Sequence, residues 1–255
     1  MPTPAISLQL YSLREAIAAD APAAIARAAN AGFRLVEPFA LAETAAVIGP
    51  LLRANGLSAP TAHARVLGLE QAPTFEAAAA LGVVTVIDPM IDRDRWVTGD
   101  SVDRIADELA DAAATAATFG LGFGYHNHAW ELSSRMDGGS ALERLASRLP
   151  ESVALEVDAY WAAQGGEDVP ALLERLGPRV RFLHVKDAPL APDGTISPDT
   201  FDQLPVGEGA LPWTDILAAA PATELVVVEF DEFRGDVFDA AVRSRAALEA
   251  LGARA

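Results

Sequence analysis

Cysteine is absent from the 255-residue sequence, which excludes disulfides, thiolate zinc sites and cysteine nucleophiles. Any metal must therefore be held by His, Asp, Glu or Asn. Lysine is nearly absent as well, since Lys186 is the single lysine beside 18 arginines. Where a composition prefers arginine so clearly, a lone lysine late in a predicted strand indicates a specific use for a compact ammonium group.

Positive charge is scarce in general: 19 Lys and Arg residues face 36 Asp and Glu residues, which gives a net charge of −17. A surface of this sign repels phosphate backbones and anionic membranes, so we expect no nucleic-acid partner. No stretch of about 18 apolar residues is free of charges or breakers, so we expect no membrane span. Residues 1–15 lack the pattern of a signal peptide, and we expect a cytoplasmic protein.

Short apolar runs alternate with longer runs rich in Ala, Leu, Arg and Glu. We predict strands at 6–11, 34–39, 58–64, 83–88, 122–128, 153–158, 180–187 and 224–231. Eight strand–helix units, with no Gly-x-Gly-x-x-Gly turn after the first strand, predict an α/β fold: a single (β/α)8 TIM barrel over residues 1–255. The Pro- and Gly-rich segment 187–213 is predicted to be a long loop after the seventh strand, with 206–213 as turns or a substrate lid.

Two of the predicted helices carry clear end signals. Residues 21–32 follow Asp20, a good N-terminal cap, and contain a proline in the first turn. Residues 100–120 begin at Asp100 or Ser101 and end at a glycine.

Ionisable residues gather at the predicted carboxyl ends of the strands, where the active sites of such barrels lie. They comprise all four histidines and three carboxylates: His63, His126, His128, His184, Glu37, Asp158 and Glu229. Because alternate side chains of a strand share a face, Asp158 faces the same way as Glu156, and His184 the same way as Lys186. If these faces look into the barrel, the mixed N and O donors suit Mn²⁺, Co²⁺, Fe²⁺, Zn²⁺ or Mg²⁺ without selecting among them.

Structural alternatives exist for several of these residues. His63 could be a hydrogen-bonded core residue, and Glu37 could pair with an arginine. Lys186 could be the buried partner of Asp158, Asp187 or Glu229 instead of holding substrate. The aromatic side chains near strand ends could stack on a sugar face or bury a loop junction: Tyr11, Trp130, Tyr160 and Trp161.

Ordered motifs run from the first predicted strand to the last: LQLYSLR (8–14), LVEPF (35–39), YHNH (125–128), LEVDAYW (155–161), FLHVKD (182–187), VGEG (206–209) and VVEFDEF (227–233). In this order they resemble the xylose isomerase-like TIM-barrel superfamily, in particular its sugar phosphate isomerase/epimerase branch. The resemblance implies one divalent metal, often Mn²⁺, bound by Glu, Asp, His and Glu from the last four strands. Asp158, His184 and Glu229 match this pattern, whereas His126 stands where many members have Glu.

The resemblance implies a divalent-metal-dependent isomerase or epimerase that acts on a sugar, sugar phosphate or related keto-polyol through an enediolate. We predict one metal, with Mn²⁺ favoured, and a small carbohydrate substrate, in a monomer or small homo-oligomer. The predicted metal ligands are His126, Asp158, His184 and Glu229. The predicted catalytic residues are Glu229, His128, Lys186 and Glu37, and the predicted substrate contacts are His63, Trp161, Tyr11 and Trp130.

Two other functions remain open at this point. With His126 in place of Glu, the chain lacks one of the two carboxylates that move protons in the ketose 3-epimerases of the superfamily. A dehydratase or lyase that acts on a keto-inositol or a 3-keto-glycoside would suit a histidine base. A third reading is a barrel that binds a sugar without turning it over.

Overall fold

The computed structural model describes residues 3–190 and 202–255. Its strands are β1 (Ala5–Gln9), β2 (Leu35–Glu37), β3 (Thr61–His63), β4 (Thr85–Asp88), β5 (Gly122–His126), β6 (Arg135–Met136), β7 (Gly139–Ser140), β8 (Val153–Asp158), β9 (Val180–Val185) and β10 (Leu225–Val228). β6 and β7 form a small separate hairpin, and the other eight strands form one parallel sheet in the order β2-β1-β10-β9-β8-β5-β4-β3. The backbone N–H of Val36 donates to Ser58 O (2.9 Å), just before β3, so the two edges meet and the sheet is a nearly closed barrel. The predicted TIM barrel is confirmed.

Helices follow the strands and cover the outside of the barrel. In the described part of the chain they are α1 (Arg14–Asn30), α2 (Leu41–Ala54), α3 (Ala72–Leu81), α4 (Gly99–Thr118), α5 (Ala129–Ser133), α6 (Ala141–Arg148), α7 (Ala159–Gln164), α8 (Val169–Leu176), α9 (Trp213–Ala219) and α10 (Val237–Ala250). Short 3-10 turns occupy Leu10–Leu13, Arg93–Trp96 and Gly177–Arg179. None of the helices in residues 3–190 and 202–255 has the length and hydropathy needed to cross a bilayer.

Two helix starts differ from the sequence prediction. α1 begins at Arg14, seven residues early, but it kinks at Asp20, whose carboxylate accepts the Ala23 N–H (3.0 Å). The predicted cap therefore exists inside a longer element. α4 is capped by Thr98, whose hydroxyl accepts from Ser101 N–H, so the predicted caps at Asp100 and Ser101 are wrong by two to three residues.

Apolar packing occurs in two separate clusters. The larger lies between the strands and the helices. The smaller includes Ile87, Ala154, Phe182, Leu225 and Val227, contributed by β4, β8, β9 and β10. These side chains fill most of the amino-terminal half of the barrel, together with the buried Thr61 and Thr85 at the starts of β3 and β4. The ionisable groups of the interior lie in the carboxyl half.

The long segment after β9 is anchored by Asp187. Its carboxylate accepts the N–H of Gly207 (2.9 Å), the N–H of Leu211 (3.2 Å) and the indole N–H of Trp213 (2.9 Å). A Cβ at Gly209 would overlap the same carboxylate, which explains the glycine of the VGEG motif. Residues 187–190 and 202–212 form no helix, as predicted, while 191–201 lie outside the described residues.

Candidate metal and active site

The four predicted metal ligands meet at the carboxyl end of the barrel. His126 and Asp158 are the last residues of β5 and β8, His184 lies one residue before the end of β9, and Glu229 directly follows β10. Strand pairing aligns Asp158 with His184, and His126 with Glu156. One donor atom from each of the four ligands lies within 4.8 Å of the others. We call these four residues the outer group.

Close contacts hold the outer group together. His184 Nδ1 lies 2.8 Å from Glu229 Oε2, and His126 Nε2 lies 3.9 Å from Asp158 Oδ2. All four side chains are almost fully buried. Two imidazoles and two carboxylates at this separation match the mixed N/O set that borderline divalent cations bind.

Lys186 lies among three carboxylates. Its Nζ is 2.9 Å from Asp158 Oδ2, 2.5 Å from Glu229 Oε2 and 2.8 Å from Asp231 Oδ2. Of the partners predicted from sequence, Asp158 and Glu229 are confirmed. The predicted pairing with Asp187 is wrong, because Asp187 anchors the following loop. Asp231 was not among the predicted partners. The fully buried ammonium group balances part of the carboxylate charge.

Glu156 is the central residue that the sequence analysis did not select. Its Oε2 lies 2.6 Å from His63 Nε2, 3.0 Å from His184 Nε2 and 3.1 Å from His126 Nδ1. Its position two residues before Asp158 in β8 was the available signal, because that spacing places both carboxylates inside the barrel.

Glu37 lies beside this centre, at the end of β2. Its Oε1 accepts from Gln9 Nε2 (2.8 Å) and lies 2.8 Å from His184 Nε2 and 3.1 Å from His63 Nε2. The alternative of an arginine partner is therefore wrong. His63 is a hydrogen-bonded interior residue that also lines the pocket above the site.

The two histidines of the outer group use opposite ring nitrogens. His184 presents Nδ1 to Glu229 and Nε2 to Glu156, while His126 presents Nε2 towards Asp158 and Nδ1 to Glu156. Metal-binding imidazoles usually have their second nitrogen held by a carboxylate, which fixes the tautomer and the ring orientation. The residues present therefore fit a divalent metal at the outer group.

Burial and neighbouring charges move the pKa values of the outer group in different directions. Burial lowers the pKa of His126 well below its usual range, and the charge of His184 adds to this effect. Burial also raises the pKa of Asp158, to about 6, although Lys186 and His184 oppose the rise. For Glu229, burial acts upward but Lys186 and His184 outweigh it, so its pKa falls well below the usual range.

A pocket of about 500 Å³ opens above the outer group and is lined by His63, His126, His128 and Glu229, among others. An adjoining pocket of about 300 Å³ is lined by the predicted substrate contacts Tyr11, Trp130 and Trp161. The ring of His128 borders both pockets and stacks on Trp130 with centroids 4.3 Å apart. Burial lowers the pKa of His128 to about 4, so its imidazole is neutral near pH 7.

Comparison with known proteins agrees with this architecture. A family model described as "Xylose isomerase-like TIM barrel" matches residues 25–251. No curated protein matches the chain in sequence.

Three solved structures illustrate the likeness. A sugar phosphate isomerase/epimerase from Parabacteroides distasonis is 21% identical with a TM-score of 0.80, and the match covers 98% of this chain and 95% of that one. The probable 3-DHS dehydratase AsbF from Bacillus anthracis is 12% identical with a TM-score of 0.71, covering 96% and 98%. The IOLI protein, solved with a bound zinc atom, is 11% identical with a TM-score of 0.72, covering 97% of both chains. At these identities the likeness shows the fold alone.

Proposed function

The chain belongs to the xylose isomerase-like TIM-barrel family, and we propose that it is a divalent-metal-dependent isomerase or epimerase of a sugar or related keto-polyol. One observation carries the proposal: four metal-type donors meet at the floor of a pocket large enough for a small molecule. His126 and Glu229 belong to both the donor set and the pocket lining, so a pocket ligand would lie directly beside the cation site.

The outer group would hold the metal, with Mn²⁺ favoured. When bound, the metal supplies a Lewis acid that polarises a substrate carbonyl and stabilises the enediolate charge. Glu229 and His128 both reach the pocket, and each can accept the proton from the carbon next to the carbonyl. Delivering that proton to the former carbonyl carbon, while the hydroxyl proton passes to the former carbonyl oxygen, isomerises the sugar. Returning a proton to the opposite face of the carbon that lost it epimerises the sugar.

Glu37 and Lys186 contribute through other side chains in this proposal. Neither belongs to the described residues that line the pocket, and both are almost fully buried. Glu37 orients His184 through a 2.8 Å contact, and Lys186 holds Glu229 at 2.5 Å. Both are therefore positioning residues.

Proton exchange tests the function directly. We expect purified protein with Mn²⁺, incubated in D₂O with a panel of ketoses and aldoses, to introduce deuterium next to the carbonyl of at least one sugar, as followed by NMR. Asp158→Asn keeps an oxygen for the Trp161 N–H that Asp158 now caps (2.8 Å) but removes one metal-ligand charge. We expect exchange to fall by about 10³-fold, because Lewis-acid stabilisation is worth several kcal/mol. Absence of exchange with every sugar, or exchange that survives metal removal, contradicts the proposal.

A dehydratase or lyase is the second candidate, and His126 favours it. With an imidazole where many family members carry Glu, one carboxylate of the two-carboxylate proton shuttle is missing, while His128 offers a neutral imidazole base. The fold-level likeness to a probable dehydratase agrees with this alternative. A keto-inositol or 3-keto-glycoside would then yield an enone absorbance or a released leaving group, instead of a reversible mixture of isomers.

A further inference from the structure

The pocket above the outer group has two unlike walls. One carries His126, His128 and Glu229. The other comes from the chain that follows β2, β3 and β4, including the first residues of α2 and α3. It carries Glu43, Arg65 and Glu70 together with six apolar residues that we call the apolar wall: Phe39, Leu41, Leu69, Pro73, Pro89 and Met90. Apolar side chains line most small-molecule sites, and here they leave room for an apolar part of a ligand beside the cation site.

The charges of the pocket are unsuited to a phosphate group. Among the described residues that line it, Arg65 is the one arginine or lysine, whereas the acidic lining residues are Glu43, Glu70, Glu229 and Asp231. Arg65 pairs with Asp92 at 3.2 Å, and its side chain is 56% exposed. Phosphate sites in proteins usually combine several cationic or backbone N–H donors.

The neighbouring cations are already paired. Arg14, which lies beside Tyr11, donates to Asp231 O (2.7 Å) and to Glu232 Oε1 (2.9 Å). The ammonium group of Lys186 already lies within 2.9 Å of three carboxylates. Lys186 balances Asp231, and a bound metal would balance Asp158 and Glu229. The pocket lining still carries Glu43 and Glu70 against Arg65, so a phosphorylated substrate would meet an excess of acidic groups.

Leu69 shows that the apolar wall extends to the pocket rim. Leu69 is 62% exposed and belongs to the pocket lining. An apolar group bound in the pocket would remove this surface and part of the Met90 surface from water. The pocket volume of about 500 Å³ also leaves space beyond a single sugar ring.

We propose that the apolar wall is a subsite for an uncharged apolar substituent, and that the substrate is a neutral keto-sugar derivative carrying such a group, for example the keto form of an aryl glycoside, instead of a sugar phosphate. This inference rests on the proposed function, since it assigns the sugar portion to the outer group. The hydrophobic effect favours the substituent, and the acidic lining opposes anions.

Equilibrium binding tests the subsite without relying on turnover. Calorimetric titration of the Mn²⁺-loaded protein would compare methyl and 4-nitrophenyl glycosides of glucose, galactose and xylose with glucose 6-phosphate. For at least one sugar we expect the nitrophenyl glycoside to bind at least about tenfold more tightly than the methyl glycoside. We expect glucose 6-phosphate to bind more weakly than any of the neutral glycosides that bind.

Variants test whether the preference for the nitrophenyl group depends on the apolar wall. Leu69→Ser and Met90→Ala should each reduce the advantage of the nitrophenyl group about threefold or more, while the affinity for the methyl glycoside stays unchanged. Val84→Ser is the matched control, because Val84 is a 60% exposed apolar residue that directly precedes β4, at the opposite end of the barrel. It should leave all affinities as they are.

Several outcomes overturn the proposal. They are equal affinity for methyl and nitrophenyl glycosides, binding of none of these glycosides, and tighter binding of the phosphate ester. Failure of the proposed function looks different, because aryl glycosides would bind while no deuterium enters any sugar. Conversely, metal-dependent exchange on free ketoses without an aryl preference would leave the proposed function standing and the subsite refuted.

Discussion

The two halves of the barrel interior are built by the same strands, but the amino-terminal half is mostly apolar and the carboxyl half is crowded with ionisable groups. Phe182 precedes His184 by two residues in β9, and Ala154 precedes Glu156 by two residues in β8. A step of two residues keeps a side chain on the same face and moves it towards the carboxyl end. Inward-facing residues in the amino-terminal half therefore contribute to stability, whereas inward-facing residues in the carboxyl half provide the ionisable groups of the candidate site.

The largest effect is expected in the lower half. Phe182 is 2% exposed inside the smaller apolar cluster. Phe182→Ala should lower the free energy of unfolding by about 3–5 kcal/mol, because it removes apolar contacts and leaves a cavity that the strands cannot close. Urea denaturation followed by circular dichroism measures the change, and the exposed Val97→Ala should shift stability by less than about 0.5 kcal/mol. A loss below about 1 kcal/mol for Phe182→Ala would show that the lower half is loosely packed.

Glu131 lies outside the barrel interior and is a buried carboxyl group whose hydrogen-bond donors are neutral. It accepts from the Tyr125 hydroxyl (2.6 Å) and the His128 backbone N–H (2.9 Å). Burial raises its pKa to about 7, and these hydrogen bonds only partly oppose the rise. Inside the barrel, by contrast, Glu229 has Lys186 and His184 beside it, and its pKa is lowered.

This raised pKa makes stability depend on pH. Between pH 4.5 and 7 the folded state keeps a proton on Glu131 that the unfolded chain releases, so the contribution of this group is complete below pH 4.5 and is lost as pH rises through 7. The loss amounts to about 3 kcal/mol. The stability of Glu131→Gln relative to the native protein should therefore be higher at pH 8 than at pH 5 by about this amount. Urea denaturation of both proteins at the two pH values measures the difference.

Glu143 provides the control. Like Glu131, it accepts the backbone N–H of the residue that caps its helix, but Arg175 lies beside it. Burial acts upward on its pKa, but the hydrogen bonds from Arg175 and Ser140 and the charge of Arg175 together outweigh it, and the pKa is lowered. Its stabilising contribution is then complete at both pH 5 and pH 8. Glu143→Gln should show the same difference from the native protein at both pH values, and an equal pH dependence in the two variants would refute the assignment to Glu131.

The sequence predicted the barrel because alternation of strands and helices is a local pattern, visible in periodicity and end signals. It also predicted that His126, Asp158, His184 and Glu229 come together, since strand ends of a closed parallel sheet must meet. Their roles as ligands and the roles of the substrate contacts stay predictions.

Contacts between distant strands were harder to predict. The three imidazoles around Glu156 come from β3, β5 and β9, and no local pattern specifies which of two carboxylates in β8 lies among them. Two of the three partners considered for Lys186 were right, and Asp231, which follows Glu229 by two residues and shares its face, was not considered. The predicted strands extend too far at their carboxyl ends. Lys186 and Glu229, which were predicted to lie within strands, come just after β9 and β10.

The smallest effect is expected for Glu156, which contacts both histidines of the outer group. Burial acts upward on its pKa, but His184 and His63 outweigh it, and the pKa falls well below the usual range. If its charged oxygen fixes the tautomers of His126 and His184, Glu156→Gln should weaken Mn²⁺ binding about 10- to 100-fold, as measured by competition with a fluorescent indicator. Glu37→Gln is the matched control, because Glu37 touches His184 but not His126, and burial together with the charge of Glu156 raises its pKa. Because Glu37 holds one histidine of the outer group and Glu156 holds two, Glu37→Gln should weaken binding less than Glu156→Gln does. Equal losses in the two variants would show that interior charge in general, not the shared contact of Glu156, sets the metal affinity.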